Sequence, residues 1–342
     1  MKKIKRIIYL IYYLRNQNWK QYNQFLNYIG ELKGKRKLLL VSNSVNDSLK
    51  YNITPVEYFQ FGFYEKSITE KQSWVGTGTM YEFQLVMNPK SQREILDDKR
   101  KFYKVYKNFV VHKVASLQEL KDNPSLISDF LNNKTEKLVF KASDGKCGFQ
   151  VEMKNTKEFS ETNLTTFMEK NEYDLLEEFI EQHPIMNKLS PSGVNTVRII
   201  TQLDKNNNVH LLGCRQRISV NSSVDNLASG NIVATIDETT GKIDSPAVYS
   251  DITKDDVTIH PVTGTKIIGF QIPYWSEVIN MVKQAALLHP QNRSIGWDVV
   301  ITDKGPGLIE GNHDWCKLVW QLPAKQGFKS ILDGYLKEYL SI

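Results

Sequence analysis

Cysteine is scarce in this chain of 342 residues: Cys147, Cys214 and Cys316 are widely spaced, odd in number and form no Cys-x-x-Cys pair. That pattern argues against a disulfide framework and against a structural zinc site, and the chain reads as cytoplasmic. Long apolar runs are missing too. None reaches the length of a membrane span, and no small-residue cleavage site follows the N-terminal segment, which is therefore not read as a signal peptide. Runs of one charge are lacking: 44 Lys and Arg are interspersed with 38 Asp and Glu for a net +6, which favours a site for anionic small molecules over a nucleic-acid groove. Three chemical signatures are absent as well, namely the Gly-x-x-x-x-Gly-Lys-Ser/Thr phosphate loop, the Gly-x-Gly-x-x-Gly dinucleotide turn and the Gly-x-Ser-x-Gly nucleophile elbow.

What is present suits a globular protein. Hydrophobic residues make up 41% and charged residues 24%, and the length allows two or three subdomains. In residues 1–30, Ile4, Ile7, Ile8 and Ile11 recur at helical spacing with Lys2, Lys3, Lys5 and Arg6 among them. Such a helix either rests on an anionic membrane surface, at the inner face of the membrane, or packs on the body of the protein. Residues 35–95 combine a strand-like LLLVS with the aromatic YFQFGFY and the glycine-broken SWVGTGTMYEFQLVM. The expectation is a mainly helical N-terminal region, 1–95, forming one wall of a cleft. A charged helix from Asp97 then leads into a strand at Asn108-Phe109-Val110-Val111.

Further on, a strand ends near Lys141, a loop carrying Ser143, Gly145 and Gly148 follows, and a second strand starts at Phe149. Glycines in such a loop let backbone N–H groups approach an anion, although a plain hairpin turn reads the same way. Another apolar strand lies within Glu172–His183 and stops before Pro184. NTVRIIT and HLLGCRQRI flank the turn Asp204–Asn208, so a hairpin places Arg198, Arg215 and Arg217 on one face. Converging guanidinium groups need an anionic partner, and phosphate suits their fork; arginines turned to solvent are the other reading.

Two runs of branched residues in WDVVITDKGPGLIEGN flank a turn-forming cluster from Thr302 to Gly307. With the turn centred near Lys304, Asp298 stands opposite Glu310, and Asn312 shares their face. Opposed carboxylates repel unless a cation lies between them, and Mg²⁺ takes oxygen ligands of this kind. A half-exposed hairpin with its polar face in water is the plainer alternative. The segment Trp275–Leu288 is amphipathic and should pack under this hairpin.

Taken in order, Lys99, FKASDGKCG, LLEEFI, NTVRIIT and the final hairpin resemble the ATP-grasp enzymes. With VDNLASG and HPVTG followed by GFQIPYW, they resemble more narrowly the sugar-transfer-associated branch found among bacterial polysaccharide genes, over roughly residues 95–325. The resemblance implies an α+β ATP-grasp fold: two α+β subdomains, 96–185 and 186–342, whose antiparallel sheets grip ATP, behind the helical region 1–95. By resemblance, Lys99 and Lys141 contact the nucleotide, and the Ser143–Gly148 loop closes over its phosphates. The backbone of Glu178, Phe179 and Ile180 meets the adenine edge, and Glu181 the ribose. Arg198, with one or both of Arg215 and Arg217, holds the triphosphate or acyl phosphate. Asp298, Glu310 and Asn312 bind Mg²⁺, or Mn²⁺ in its place. The implied activity is a carboxylate–amine ligase acting through an acyl phosphate, with a sugar carboxylate and an amine as partners and no nucleic acid. A kinase, or a non-catalytic nucleotide-binding partner of a glycosyltransferase, is the alternative. Ser229-Gly230-Asn231 and His313-Asp314-Trp315-Cys316 depart from the family pattern, and lone histidines such as His112 read as structural.

Overall fold

Period-two alternation builds two antiparallel sheets, and the computed structural model, which describes residues 2–143 and 151–340, turns one face of each toward one cavity. The smaller sheet has the order β1-β4-β2-β3, with β1 Val114–Ser116, β2 Lys137–Lys141, β3 Val151–Asn155 and β4 Leu175–Glu178. Leu138, Phe140 and Leu176 are buried in one core with residues of the helices Leu117–Asp122, Ser125–Leu131 and Leu164–Lys170. The intervening Lys137, Val139 and Lys141 line the cavity on the opposite face. The strand expected at Asn108–Val111 is not formed: a short 3-10 turn occupies Lys107–Phe109, and pairing begins only at Val114.

The larger sheet has the order β7-β6-β5-β8-β9, with β5 Val197–Leu203, β6 Val209–Ile218, β7 Ile232–Ile236, β8 Ser294–Thr302 and β9 Gly305–Asn312. Val197, Ile199, Trp297 and Val299 share a core with Val278, Val282 and Ala285 of the helix Trp275–Leu288. Phe102 and Tyr106, from the helix Lys99–Tyr106, complete that core, the Tyr106 ring lying edge-on to Trp297 with centroids 5.3 Å apart. On the opposite face Ile200 and Leu212 are covered by Met80, Phe83 and Leu332, from the helices Thr77–Met87 and Lys329–Leu340. The end of that face bearing Arg198 stays open to the cavity.

The N-terminal region is helical, opening with α1 Lys2–Asn16, α2 Trp19–Leu32 and α3 Lys37–Tyr51, and α2 and α3 contribute to an aromatic cluster that includes Phe25, Tyr58, Phe59, Phe61 and Trp74. LLLVS lies within α3 and is not a strand. Leu40, Ser44, Asp47 and Ser48 are its buried positions, a helical spacing, while Leu38 and Leu39 stay exposed. Polar bonds tie this region to the larger sheet and the segment that follows it. Lys317 Nζ pairs with Glu57 Oε1 at 2.7 Å, and Asn88 Nδ2 donates to the carbonyls of Ser294 and His313, each at 2.8 Å.

Candidate active site

The register of the final hairpin depends on a defect. β8 and β9 are joined by the two-residue turn Asp303-Lys304, so that Thr302 pairs with Gly305 and Val299 with Leu308. Continued unchanged, that register sets Asp298 opposite Ile309. A bulge between Asp298 and Val299 absorbs one extra residue of β9, and beyond it Asp298 pairs with Glu310 and Gly296 with Asn312. The turn centre alone therefore does not produce the pairing expected from sequence; the bulge does. Gly296 has its own reason: a Cβ there would stand 2.5 Å from Cβ of Trp315.

Asp298 is the hub. Arg198 donates from Nε and Nη2 to its two oxygens at 2.6 and 2.9 Å, and Arg217 Nη1 adds a bond of 2.8 Å. Arg217 also reaches Asp225 Oδ1 at 2.7 Å, and Asp225 is held in turn by the amide and hydroxyl of Thr196 at 2.7 and 2.5 Å. Burial works against the Asp298 charge, but the two guanidiniums outweigh it and hold the carboxyl far below its usual range. Glu310 behaves oppositely, since burial and then the neighbouring Asp298 charge push its carboxyl up. Asn312 Nδ2 donates to Glu310 Oε1 at 3.1 Å. Three carboxylates thus meet two guanidiniums, a surplus that suits a divalent cation. No group of three or more His, Cys, Asp and Glu that could hold a metal exists among the described residues. A cation here would therefore draw its remaining ligands from Asn312 and from substrate oxygens.

Arg215 does not join this cluster. It pairs with Arg198 across β5 and β6, yet its guanidinium turns away to the carbonyl of Trp320, with Nε at 3.0 Å and Nη2 at 2.7 Å, and to that of Cys214 at 2.8 Å. Two facing guanidiniums repel, and the carbonyl of Trp320, in the helix Lys317–Gln321, offers an acceptor at a helix C-terminus. Burial draws the Arg215 guanidinium down to about 10.

On the smaller sheet, Lys141 Nζ meets Glu177 Oε2 at 2.6 Å, and His112 Nε2 lies 3.2 Å from the same oxygen. Tyr103 donates its hydroxyl to Oε1 of Glu177 at 3.2 Å. Glu177 is not among the residues expected from sequence; the strand register brings it in, since Lys141 pairs with Leu175 and Glu177, two residues on, shares that face. Asp225 stands in the sequence within VDNLASG, where the resemblance gives it no role. The Ser143 hydroxyl and amide are both given to Asp174 Oδ2, at 2.7 and 3.1 Å, and its carbonyl accepts from the Lys99 amide at 3.2 Å. Lys99 itself lines the cavity. Gly145 and Gly148 lie outside the described residues. The Glu178 amide donates to the Lys113 carbonyl at 2.9 Å, because β4 is still paired there. Past it the chain leaves the ladder, and Phe179, Ile180 and Glu181 run along the cavity wall. Lys137 Nζ stands 4.8 Å from the centre of the Phe179 ring. Glu181, at 3.9 Å from Lys134, is an exposed pair.

Arg198, Arg217, Asp225, Asp298, Glu310, Asn312, Lys141 and Glu177 line a cavity of about 1670 Å³ between the sheets, bordered on a third side by Tyr13 and Asn16 of α1 and Gln17 just beyond it. That exceeds the space one drug-sized ligand needs, leaving room for two reactants side by side.

Two antiparallel sheets facing one another across such a cavity, in an α+β chain, are the ATP-grasp fold. The chain belongs to the sugar-transfer associated ATP-grasp family, whose model matches residues 79–335. Among solved structures it is similar to the ATP-grasp ligase PsnB complexed with a precursor variant, Mg and ADP, at 11% identity and a TM-score of 0.44, over 74% of this chain and 62% of that one. It is also similar to a biotin carboxylase from Campylobacter jejuni, at 12% identity and a TM-score of 0.47, over 74% and 48%. An L-amino acid ligase from Bacillus licheniformis shares 15% identity with a TM-score of 0.37, over 65% and 41%. The chain thus spans under two thirds of each of these proteins. No curated protein sequence matches it.

Proposed function

We propose that this chain is an ATP- and Mg²⁺-dependent carboxylate–amine ligase, joining an amino acid or other amine to a sugar carboxylate, such as a uronic acid, in surface-polysaccharide assembly. The observation that carries the reading is the opposition across one cavity of the Arg198–Asp298–Arg217 cluster, with Glu310 and Asn312, and the Lys141–Glu177 pair. The family supports the nucleotide and the sugar setting. The reading divides the chain into the helical region 1–95 and the subdomains 96–185 and 186–342.

In this reaction class a substrate carboxylate attacks the γ-phosphoryl group, releasing ADP and forming an acyl phosphate, which the amine then opens to an amide and phosphate. Mg²⁺ held by Glu310, Asn312 and Asp298 would screen the phosphate charge and polarise the transferred group. The chain's own residues do the positioning. Arg198 and Arg217, braced by Asp298 and Asp225, present guanidinium edges to an anion, and Lys141, oriented by Glu177, supplies charge from the opposite wall. Val139, Val151 and Met153 give the smaller sheet an apolar face for a flat base. Among the described residues no protein group takes the peptide groups of Phe179 or Ile180, which suits a base edge there.

The test is ADP release with Mg²⁺ against a panel of uronic acids, nucleotide-sugars and amines, with mass spectrometry of the products. ADP release that depends on both a carboxylate and an amine, with an amide formed, supports the reading. A phosphorylated product without amide makes the chain a kinase, and ATP binding without acceptor-dependent ADP makes it a non-catalytic partner.

A further inference from the structure

Helix α1 is apolar on two faces. Its inner face meets the protein: Tyr13 is buried, Tyr9 lies edge-on to Tyr81 with ring centroids 6.3 Å apart, and Lys5 pairs with Glu82 at 2.9 Å. Its outer face carries Ile4, Ile7, Ile8 and Ile11 at the spacing i, i+3, i+4, i+7, exposed by 65%, 50%, 58% and 47%. Scattered single apolar residues on a surface need no explanation, but four isoleucines on one helical stripe mark an interaction face.

Charge indicates the partner. Ten of the 44 Lys and Arg fall within residues 1–37, together with a single acidic residue, Glu31, which gives that stretch a net +9 and leaves −3 for the remainder of the chain. An isoleucine stripe set in a basic, nearly acid-free segment complements a surface that is apolar beneath and anionic on top, as an anionic lipid bilayer is. No helix among the described residues is long and apolar enough to cross a membrane, so α1 would lie along the interface. Tyr12, 63% exposed beside this stripe, also lines the cavity. A docked α1 therefore brings the cavity mouth to the lipid surface.

We propose that α1 docks the chain on anionic membranes, with Ile4, Ile7, Ile8 and Ile11 entering the acyl boundary and the surrounding Lys and Arg meeting lipid phosphates. The assignment is independent of the reaction catalysed. Flotation with vesicles of phosphatidylcholine alone, and of an equimolar mixture with phosphatidylglycerol, tests it. Binding is expected to the anionic vesicles only, to weaken with added salt, and to fall about tenfold or more in the Ile7→Asp/Ile8→Asp variant, with its melting curve unchanged because both side chains face solvent. A Lys2→Glu/Lys3→Glu variant should bind less well at low salt and converge on the parent chain at high salt. Equal partitioning onto both vesicle types, or anionic binding unaltered in the Ile7→Asp/Ile8→Asp variant, overturns the proposal. So does sedimentation showing that this variant dissociates a self-associated form without changing lipid binding, which would assign the stripe to a second copy. Loss of the ligase reading, by absence of ADP release with every substrate pair, leaves these outcomes untouched.

Discussion

The two walls of the cavity solve opposite electrostatic problems. On the larger sheet Asp225, Asp298 and Glu310 outnumber Arg198 and Arg217, and the carboxyl left over, that of Glu310, is pushed up by burial and by Asp298. On the smaller sheet one buried carboxylate, Glu177, has Lys141 and His112 as partners and is held down. One wall is short of positive charge while the other, where Lys99, Lys134 and Lys137 line the cavity beside the Lys141–Glu177 pair, carries it, so a phosphate chain bridged to a cation suits the space between them where a simple anion or cation would match only one side.

Glu310→Ala breaks this contrast hardest. ADP release at saturating ATP and Mg²⁺ is expected to fall by about a thousandfold or more. The melting temperature should stay level or rise, since burial and Asp298 both disfavour the Glu310 charge. A parental rate in this variant would make the hairpin purely structural. On the opposite wall, Lys141→Ala removes the ammonium from a buried ion pair, which should cost about 3 kcal/mol in urea unfolding. ATP binding by calorimetry should weaken about tenfold. Adding Glu177→Gln to that variant separates the two effects: stability should recover while affinity does not, and joint recovery would assign Lys141 a structural role alone.

A pH series sharpens the comparison further. Burial opposes the Glu177 charge, but Lys141 and His112 outweigh it and bring the carboxyl from 4.5 to about 2. Its ionised form therefore contributes stability that is complete above pH 4.5 and disappears as pH falls toward 2, on the order of 3 kcal/mol at most. Glu177→Gln should flatten that part of the acid limb in denaturant titrations, and an unchanged slope would place the acid sensitivity elsewhere. The smallest effect on turnover belongs to Arg215→Met. Losing its bonds to the Trp320 carbonyl should cost about 2 kcal/mol while ADP release stays within about twofold, whereas Arg217→Met should lower the rate about a hundredfold. Similar rate losses in both would return Arg215 to the site.

Legibility followed the range of the interactions. The hairpins β5–β6 and β8–β9 and the helix Trp275–Leu288 could be read from alternation and helical spacing, because each pattern is local. LLLVS misled because a short apolar run fits strand and helix alike, and only the burial of Leu40, Ser44 and Asp47 decides between them. Glu177 stayed hidden inside LLEEFI, since its partners Tyr103, His112 and Lys141 come from other segments. Arg215 was placed with Arg217 by alternation and with Arg198 by the hairpin register, and neither says anything about a carbonyl at Trp320.

By itself the amino-acid order determined which residues alternate along each strand, so that Glu310 and Asn312 share one face of β9 and Arg215 and Arg217 one face of β6. Side-chain direction along a strand is a property of covalent geometry, so it needs no knowledge of the rest of the chain. Tertiary structure alone decided that the Asp298 bulge brings Glu310 opposite, that Arg215 leaves the cluster, and that Lys141 comes to rest on Glu177. Those outcomes depend on burial and on charges drawn from distant segments, whose energies exist only once the sheets have packed against their neighbours.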